Sequence, residues 1–150
     1  MSIALKVSGL VAGYGKKRVV DGIDFEVPAG SIVLLLGHNG AGKTSFARAL
    51  FGLLPVEAGR VWLGEREITG RSPARNVASG FAFVPQGHGV FRTLSVADNL
   101  ELGAFVENER SKLDERRERV FSMFPILAER RAQLAGTMSG GQQQMLAIGI

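Results

Sequence analysis

The sequence predicts an α/β fold in which a small β core is followed by a helical lobe. Three observations carry this prediction: an aliphatic run ends in a glycine-rich loop, the loop opens a helical pattern, and helical patterns fill the second half of the chain. Strand, loop and helix in succession are typical of α/β cores. The 150 residues contain no cysteine, which excludes a disulfide scaffold, a thiolate metal site and a cysteine nucleophile.

Strands are expected mainly in the first half of the chain. Ser31–Leu36 is a continuous apolar run, which predicts a strand buried on both faces of a parallel sheet. Pro28-Ala29-Gly30 separates this run from the strand before it. Four other segments carry strand signals: Ile3–Val7, Val19–Val27, Arg60–Leu63 and Gly80–Val84.

Helices are expected after the loop and through the second half. One begins near Gly42, carries apolar residues at helical spacing and stops at Pro55. Two more are expected to begin at serines followed three positions later by an acidic residue, namely Ser95 with Asp98 and Ser111 with Asp114. His88 is interpreted as a solvated loop residue.

The glycine-rich loop is the main chemical motif. Gly37–Thr44 has the sequence GHNGAGKT and fits the phosphate-loop pattern G-x-x-x-x-G-K-[ST] at every specified position. Glycines allow the backbone to curl with its N–H groups inward, and the helix N-terminus favours an anion. Lys43 would neutralise phosphate charge, and the Thr44 hydroxyl suits Mg²⁺. The bland alternative is a tight strand–helix turn with a solvated lysine. Many protein classes use this loop, so it does not choose among them.

A second helix start carries Ser139-Gly140-Gly141-Gln142. Ser-x-x-Gln is a capping box, so Ser139 is expected to begin the helix that follows. The same arrangement leaves N–H groups and a hydroxyl at a helix start, which also favours an anion. Both interpretations remain open on these residues alone.

Four marks in this order resemble the ATP-binding cassette (ABC) family, the ATPase subunits of ABC transporters. Tyr14 resembles the family's adenine-stacking aromatic, and Gly37–Thr44 its Walker A loop. Gln86 resembles its Q-loop glutamine, and Ser139–Gln142 its signature, with Met138 where leucine is usual. Taken singly, Tyr14 and Gln86 are also ordinary turn residues. Together the marks span nearly the whole chain.

The resemblance implies a P-loop NTPase fold: an ABC-type core with an N-terminal antiparallel β part and a small helical lobe. It divides the chain into a nucleotide core at about 1–86, a helical lobe at about 87–140, and the signature with its helix at 139–150. It implies ATP and Mg²⁺ as cofactors, with Thr44 and Gln86 serving the metal and Lys43 and Gln86 contributing to catalysis. The implied nucleotide-binding residues are Tyr14, Val19, Gly37, His38, Asn39, Gly40, Ala41, Gly42, Lys43, Thr44 and Ser45. The implied contacts to a partner's nucleotide are Ser139, Gly140, Gly141 and Gln142.

A closer resemblance, over Gly87–Ala104 and Phe124–Ile148, is to ATPases of branched-chain amino-acid importers, and of urea and short-chain amide importers. It implies permease subunits and a second ATPase subunit in a head-to-tail dimer as partners. It also implies a peripheral position on the cytoplasmic face of the inner membrane, without insertion. No nucleic-acid partner is expected.

The chain departs from the family pattern in one respect. No aliphatic run is followed by Asp-Glu, the Walker B element, and the switch histidine is also missing. We therefore expect an N-terminal part of the cassette, lacking its C-terminal part, that binds ATP and does not turn it over.

Two other function classes stay open. The first is a soluble cassette ATPase acting on nucleic acid, which the net charge of +4 invites. That charge is spread along the chain, which favours an ordinary solvated surface. The second is a non-catalytic regulator or an inactive fragment.

Overall fold

The computed structural model of the chain describes residues 2–87, 89–104 and 110–150. The chain forms two compact units, one up to Phe83 and one from Val84 onward. Each unit has its own apolar core. His88, interpreted above as a loop residue, lies outside the described residues.

The first unit is built on a four-stranded antiparallel sheet in the order β2-β1-β3-β4. The strands are β1 (Ile3–Tyr14), β2 (Lys17–Pro28), β3 (Val56–Leu63) and β4 (Arg66–Glu67). Val7 of the central strand pairs with Phe25 on one side and Val61 on the other. The three strands predicted at 3–7, 19–27 and 60–63 are therefore parts of longer strands.

One helix, α1 (Lys43–Phe51), packs on this sheet. Leu5 and Val7 are buried while Lys6 and Ser8 are exposed, which is the alternation of a strand with one covered face. The ring of Phe46 on α1 meets that of Phe25 edge to face, with centroids 5.4 Å apart. Burying such a side chain stabilises the unit by about 1.5–3 kcal/mol. The helix ends before Gly52, which takes a left-handed C-cap (φ 88°), so Pro55 is not its stop.

Two predicted strands are not formed. Ser31–Leu36 is irregular and exposed, with 94% of Ile32 and 83% of Leu36 accessible to solvent, and Gly80–Val84 is irregular as well. A strand buried on both faces needs hydrogen-bonded neighbours, and within residues 2–87, 89–104 and 110–150 no strand lies beside either segment. The prediction that Ser31–Leu36 is a strand buried on both faces of a parallel sheet is therefore wrong for the described residues.

A short helix, α2 (Pro73–Ala78), completes the first unit, and the second unit is helical. Its elements are α3 (Val96–Gly103), α4 (Arg110–Met123), α5 (Pro125–Glu129), a 3₁₀ turn (Ala135–Thr137) and α6 (Gly140–Gly149). Its core joins Val96 and Leu100 of α3 to Phe121, Leu127 and Leu146. A Cβ on Gly149 would lie 2.7 Å from Val120 Cγ1, so α6 approaches α4 closely where glycine is present.

The predicted caps have different outcomes. Ser95 caps α3 through a capping box with Asp98, as expected. Ser111 does not begin α4, because that helix already includes Arg110. Among the described residues, none of the helices has both the length and the apolar content needed to cross a bilayer.

Candidate nucleotide-binding site

The loop from Gly37 to Thr44 is curled. Gly40 and Gly42 take left-handed backbone conformations, with φ of 86° and 87°, which side chains rarely adopt. A Cβ on Gly37 would lie 3.2 Å from that of Ala41, so the two ends of the turn come close. The N–H of Ala41 donates to the carbonyl of His38 at 3.2 Å. The loop backbone is therefore curled, as its glycines predict.

Helix α1 begins directly after this loop and has no side-chain cap. Its N-cap is Gly42, no side chain accepts from its first amides, and its first turn carries no acidic residue. The first N–H groups of any helix lack intrahelical carbonyl partners. In contrast, α3 and α6 each have a capping box. The start of α1 therefore presents N–H donors and the positive end of a helix dipole, which together suit an anion.

Lys43 points back over the loop. Its Nζ donates to the carbonyl oxygens of Gly37 and His38, both at 2.8 Å. An ammonium has three protons, so these two bonds leave one for another acceptor. The lysine thereby places a positive charge against the curled backbone, where it would attract a phosphate.

The β1–β2 hairpin packs against the loop at Val19. A Cβ on Gly42 would lie 2.9 Å from the Val19 carbonyl oxygen and 3.5 Å from its Cγ1. Only glycine permits this approach, since Gly42 also has a positive φ. Val19, expected from the sequence to line the site, therefore lies directly against the loop.

Tyr14, at the end of β1, lies beside α1. Its hydroxyl accepts a hydrogen bond from Arg48 Nη1 at 3.3 Å. Hydrogen bonding from Arg48, and then from Ser45, lowers the pKa of Tyr14 below the ordinary tyrosine value. Half of the residue stays exposed, at 50%. The structure thus brings Val19 against the loop, and Tyr14 beside Ser45 and Arg48 of the helix that follows it.

The donors fit a polyphosphate with a hard cation. Thr44 lies in the first turn of α1 with its side chain exposed, so its hydroxyl is accessible. Within the described ranges, no group of three His, Cys, Asp or Glu side chains could hold a metal by itself. A hydroxyl together with phosphate oxygens and water is the kind of oxygen set that Mg²⁺ accepts.

The second candidate motif begins α6. Ser139 Oγ accepts from the Gln142 N–H at 3.4 Å, and Gln142 Oε1 accepts from the Ser139 N–H at 3.1 Å. The capping interpretation is therefore confirmed. Gly140 and Gly141 are exposed, and a Cβ on Gly141 would meet nothing within 4 Å. This open surface leaves the anion-site interpretation available.

Two buried amides that sequence reasoning missed brace this unit. Gln143 Nε2 donates to the carbonyls of Ala135 and Met138, at 3.0 and 3.1 Å, and so fixes the turn before the signature. Asn99 exchanges hydrogen bonds with the backbone of Phe91, at 2.8 and 3.0 Å. Gln143 was hidden within a run of three glutamines. Asn99 stands within the apolar stripe of α3, and that position was the one sequence signal that its side chain is buried.

Gln86 lies in a turn of the second unit and is exposed. Arg48 is the residue of the first-unit site that sequence reasoning missed. It stands three positions after Ser45 on the same helix, so helical spacing could have indicated it.

Comparison with known proteins agrees with this geometry. The sequence profile of the ABC transporter family matches residues 20–150. The high-affinity branched-chain amino acid transport ATP-binding protein BraG of Pseudomonas aeruginosa is 39% identical over 91% of this chain and 58% of its own length. The probable branched-chain amino acid transport ATP-binding protein LivF of Archaeoglobus fulgidus is 34% identical over 96% of this chain and 61% of its own length.

A crystal structure of a nucleotide-free ATP-binding cassette from an ABC transporter superposes with a TM-score of 0.82 at 27% identity, covering 99% of this chain and 64% of that one. The chain thus spans less than two thirds of the length of these relatives. The family match over residues 20–150 agrees with the geometry of the site. The site combines a curled GHNGAGKT loop with an uncapped helix start behind it. The chain belongs to the ABC transporter ATP-binding family.

Proposed function

We propose that this chain is the ATP-binding part of an importer ATPase subunit, which energises uptake of branched-chain amino acids, or of urea or short amides, through a membrane permease. The observation that carries ATP binding is the uncapped start of α1 behind a curled loop that holds the Lys43 ammonium. The cargo assignment is supported by the similarity to BraG and LivF, which are both named for branched-chain amino acid transport.

Each candidate residue has a role in this proposal. The loop N–H groups and Lys43 hold the phosphates. His38, Asn39 and Ala41 take part through their backbone groups, and Ser45 adds a hydroxyl. Tyr14 stacks on adenine, with Val19 completing the apolar contact. Thr44 and Gln86 provide oxygens for Mg²⁺, which neutralises phosphate charge when bound. Within this chain, Lys43 therefore positions the phosphates and neutralises part of their charge, and the N–H groups at the start of α1 orient them.

We also propose that Ser139–Gln142 serves the nucleotide of a second subunit in a head-to-tail dimer. The exposed glycines of this helix start allow another molecule's phosphate to approach the backbone closely. The permease subunits are the other partners, which would place the protein at the cytoplasmic face of the inner membrane as a peripheral subunit.

The 150-residue chain is proposed to bind ATP without turning it over. No Asp-Glu pair that could hold Mg²⁺ and polarise water follows an aliphatic run in its sequence. Positioning the metal and the attacking water is most of what a phosphoryl-transfer protein contributes. Phosphate release that is linear in time and lost in Lys43→Ala would overturn this part.

ATP binding is tested by calorimetry with Mg²⁺, using Lys43→Ala and, as a matched control, Lys6→Ala. Lys6 is a half-exposed lysine of β1, 3.2 Å from Glu26 and distant in sequence from the loop. We expect Lys43→Ala to weaken ATP binding at least about tenfold, because it removes a charge-assisted contact, and Lys6→Ala to leave affinity unchanged. Absence of ATP binding by the unaltered chain, or equal affinity in both variants, contradicts the proposal.

A further inference from the structure

The Tyr14 side chain is held at its backbone end and at its hydroxyl end. Its backbone belongs to the β1–β2 hairpin, where it pairs with Lys17. A Cβ on Gly13 would clash with the Lys17 carbonyl oxygen, so the chain is tightly constrained just before Tyr14. The far end of the ring, its hydroxyl, accepts from Arg48 Nη1. The direction of the ring's long axis is therefore set by two points from different elements.

Arg48 belongs to the last turn of α1 and is exposed. Holding a long exposed side chain in one geometry has an entropic cost. The hydrogen bond from Arg48 to Tyr14, 34 positions away, has to offset that cost. The guanidinium is charged, which makes its hydrogen bond to a phenol stronger than a neutral one. The result is a ring held beside α1 with half of its surface open to solvent.

We propose that Arg48 is a positioning residue of the nucleotide site, which holds the Tyr14 ring in the orientation that stacks on a base. This inference rests on the proposed ATP-binding function and assigns no phosphate contact to Arg48. Arg48 therefore raises affinity for a nucleotide that carries a base, and leaves affinity for an inorganic polyphosphate unchanged. The lowered pKa of Tyr14, caused first by Arg48 and then by Ser45, agrees with this contact.

The test compares ATP with inorganic tripolyphosphate, each with Mg²⁺, by calorimetry on the 150-residue chain. Arg48→Leu removes the donor, and Tyr14→Phe removes the hydroxyl while leaving the helix unchanged. Arg75→Leu is the control, since Arg75 is an exposed arginine on α2 of the same unit. We expect the first two variants to weaken ATP binding about three- to tenfold, with tripolyphosphate affinity unchanged. The double variant should lose no more than either single one.

A second measurement reads the contact itself. Tyr14 is the only tyrosine of the sequence, so its ionisation can be followed alone by near-ultraviolet absorbance. Arg48→Leu should move its titration midpoint upward, toward the ordinary tyrosine value, and Arg75→Leu should not. A variant that only destabilised the fold would also unfold at a lower urea concentration, and urea unfolding of the same samples measures this.

Three results would overturn the inference. ATP affinity unchanged in both Arg48→Leu and Tyr14→Phe shows that the contact does not orient the ring. Equal loss of ATP and tripolyphosphate in Arg48→Leu shows that Arg48 acts through its charge on phosphates. If the unaltered chain binds neither ligand, the phosphate loop itself fails, and the proposed function falls together with this inference.

Discussion

Gly42 joins the loop, the helix and the hairpin at a single residue. Its backbone takes a positive φ, and the Val19 carbonyl occupies the space that a side chain would need. Gly40 has nearly the same φ, with nothing within 4 Å of the place where its Cβ would lie. The two glycines therefore separate the effect of backbone conformation from the effect of a steric clash.

We expect Gly42→Ala to destabilise the chain more than Gly40→Ala. Both changes cost about 1–2 kcal/mol for a left-handed residue, and Gly42→Ala adds the displacement of the Val19 backbone. Urea unfolding of the two variants, at equal protein concentration, gives the difference in the free energy of unfolding. An equal decrease in the free energy of unfolding in both variants would show that the hairpin backbone at Val19 moves aside without measurable cost.

Two helices of the second unit, α3 and α6, begin at capping boxes. Ser95 Oγ accepts from the Asp98 N–H at 3.1 Å, and the Asp98 carboxylate accepts from the Ser95 N–H at 3.2 Å. Such a box satisfies two donors at the start of α3 without help from the rest of the chain.

Ser95→Ala should lower the free energy of unfolding by about 0.5–2 kcal/mol, the usual value of a serine N-cap. Ser122→Ala is the control, because Ser122 is exposed within α4 and alanine is the better helix former there. Thermal unfolding followed by circular dichroism measures both. A loss in Ser122→Ala as large as that in Ser95→Ala would argue against the cap as the cause.

The elements differ in how far the sequence predicts them, and the reason is the range of their interactions. The α3 cap and the curl of the Gly37–Thr44 loop are encoded within a few residues, and the cap and the positive-φ glycines agree with the prediction. The continuation of β1 through Gly9 and Gly13 was missed, because glycines indicate turns locally. A Cβ on Gly59 would clash with the Gly9 carbonyl oxygen, so here the glycines allow two strands to approach closely within the sheet.

The candidate site shows the same division. Lys43 and Thr44 follow from one motif, and Val19 and Tyr14 from the resemblance to the ABC family. The bond between Arg48 and Tyr14 joins residues 34 positions apart, so no local pattern contains it. The expected strand at Ser31–Leu36 failed for the complementary reason, since a strand is defined by neighbours that its own residues do not specify.

On the scale of the whole molecule, Ser31–Leu36 is the largest run of exposed aliphatic residues in the part of the chain that the structure describes. Ile32, Leu34 and Leu36 are 94%, 76% and 83% accessible. An exposed apolar segment that is not paired within a sheet is a template for pairing with another chain.

We expect the 150-residue chain to self-associate at high concentration through this segment. Leu34→Lys should reduce the association, because a charge on an exposed edge opposes pairing. Leu53→Lys, a substitution of a half-exposed leucine outside the segment (51% accessible), serves as the control. Sedimentation velocity over a concentration series measures the effect. Identical sedimentation of all three proteins would place any self-association elsewhere.

The missing cap of α1 has a dynamic consequence. The amides of Thr44 and Ser45 lie in a first turn that no side chain closes. In the free protein this turn should open often, and its amide protons should exchange with deuterium quickly. A bound phosphate would end the fraying by accepting from those same amides, so ligand binding and the last step in ordering this helix become one event.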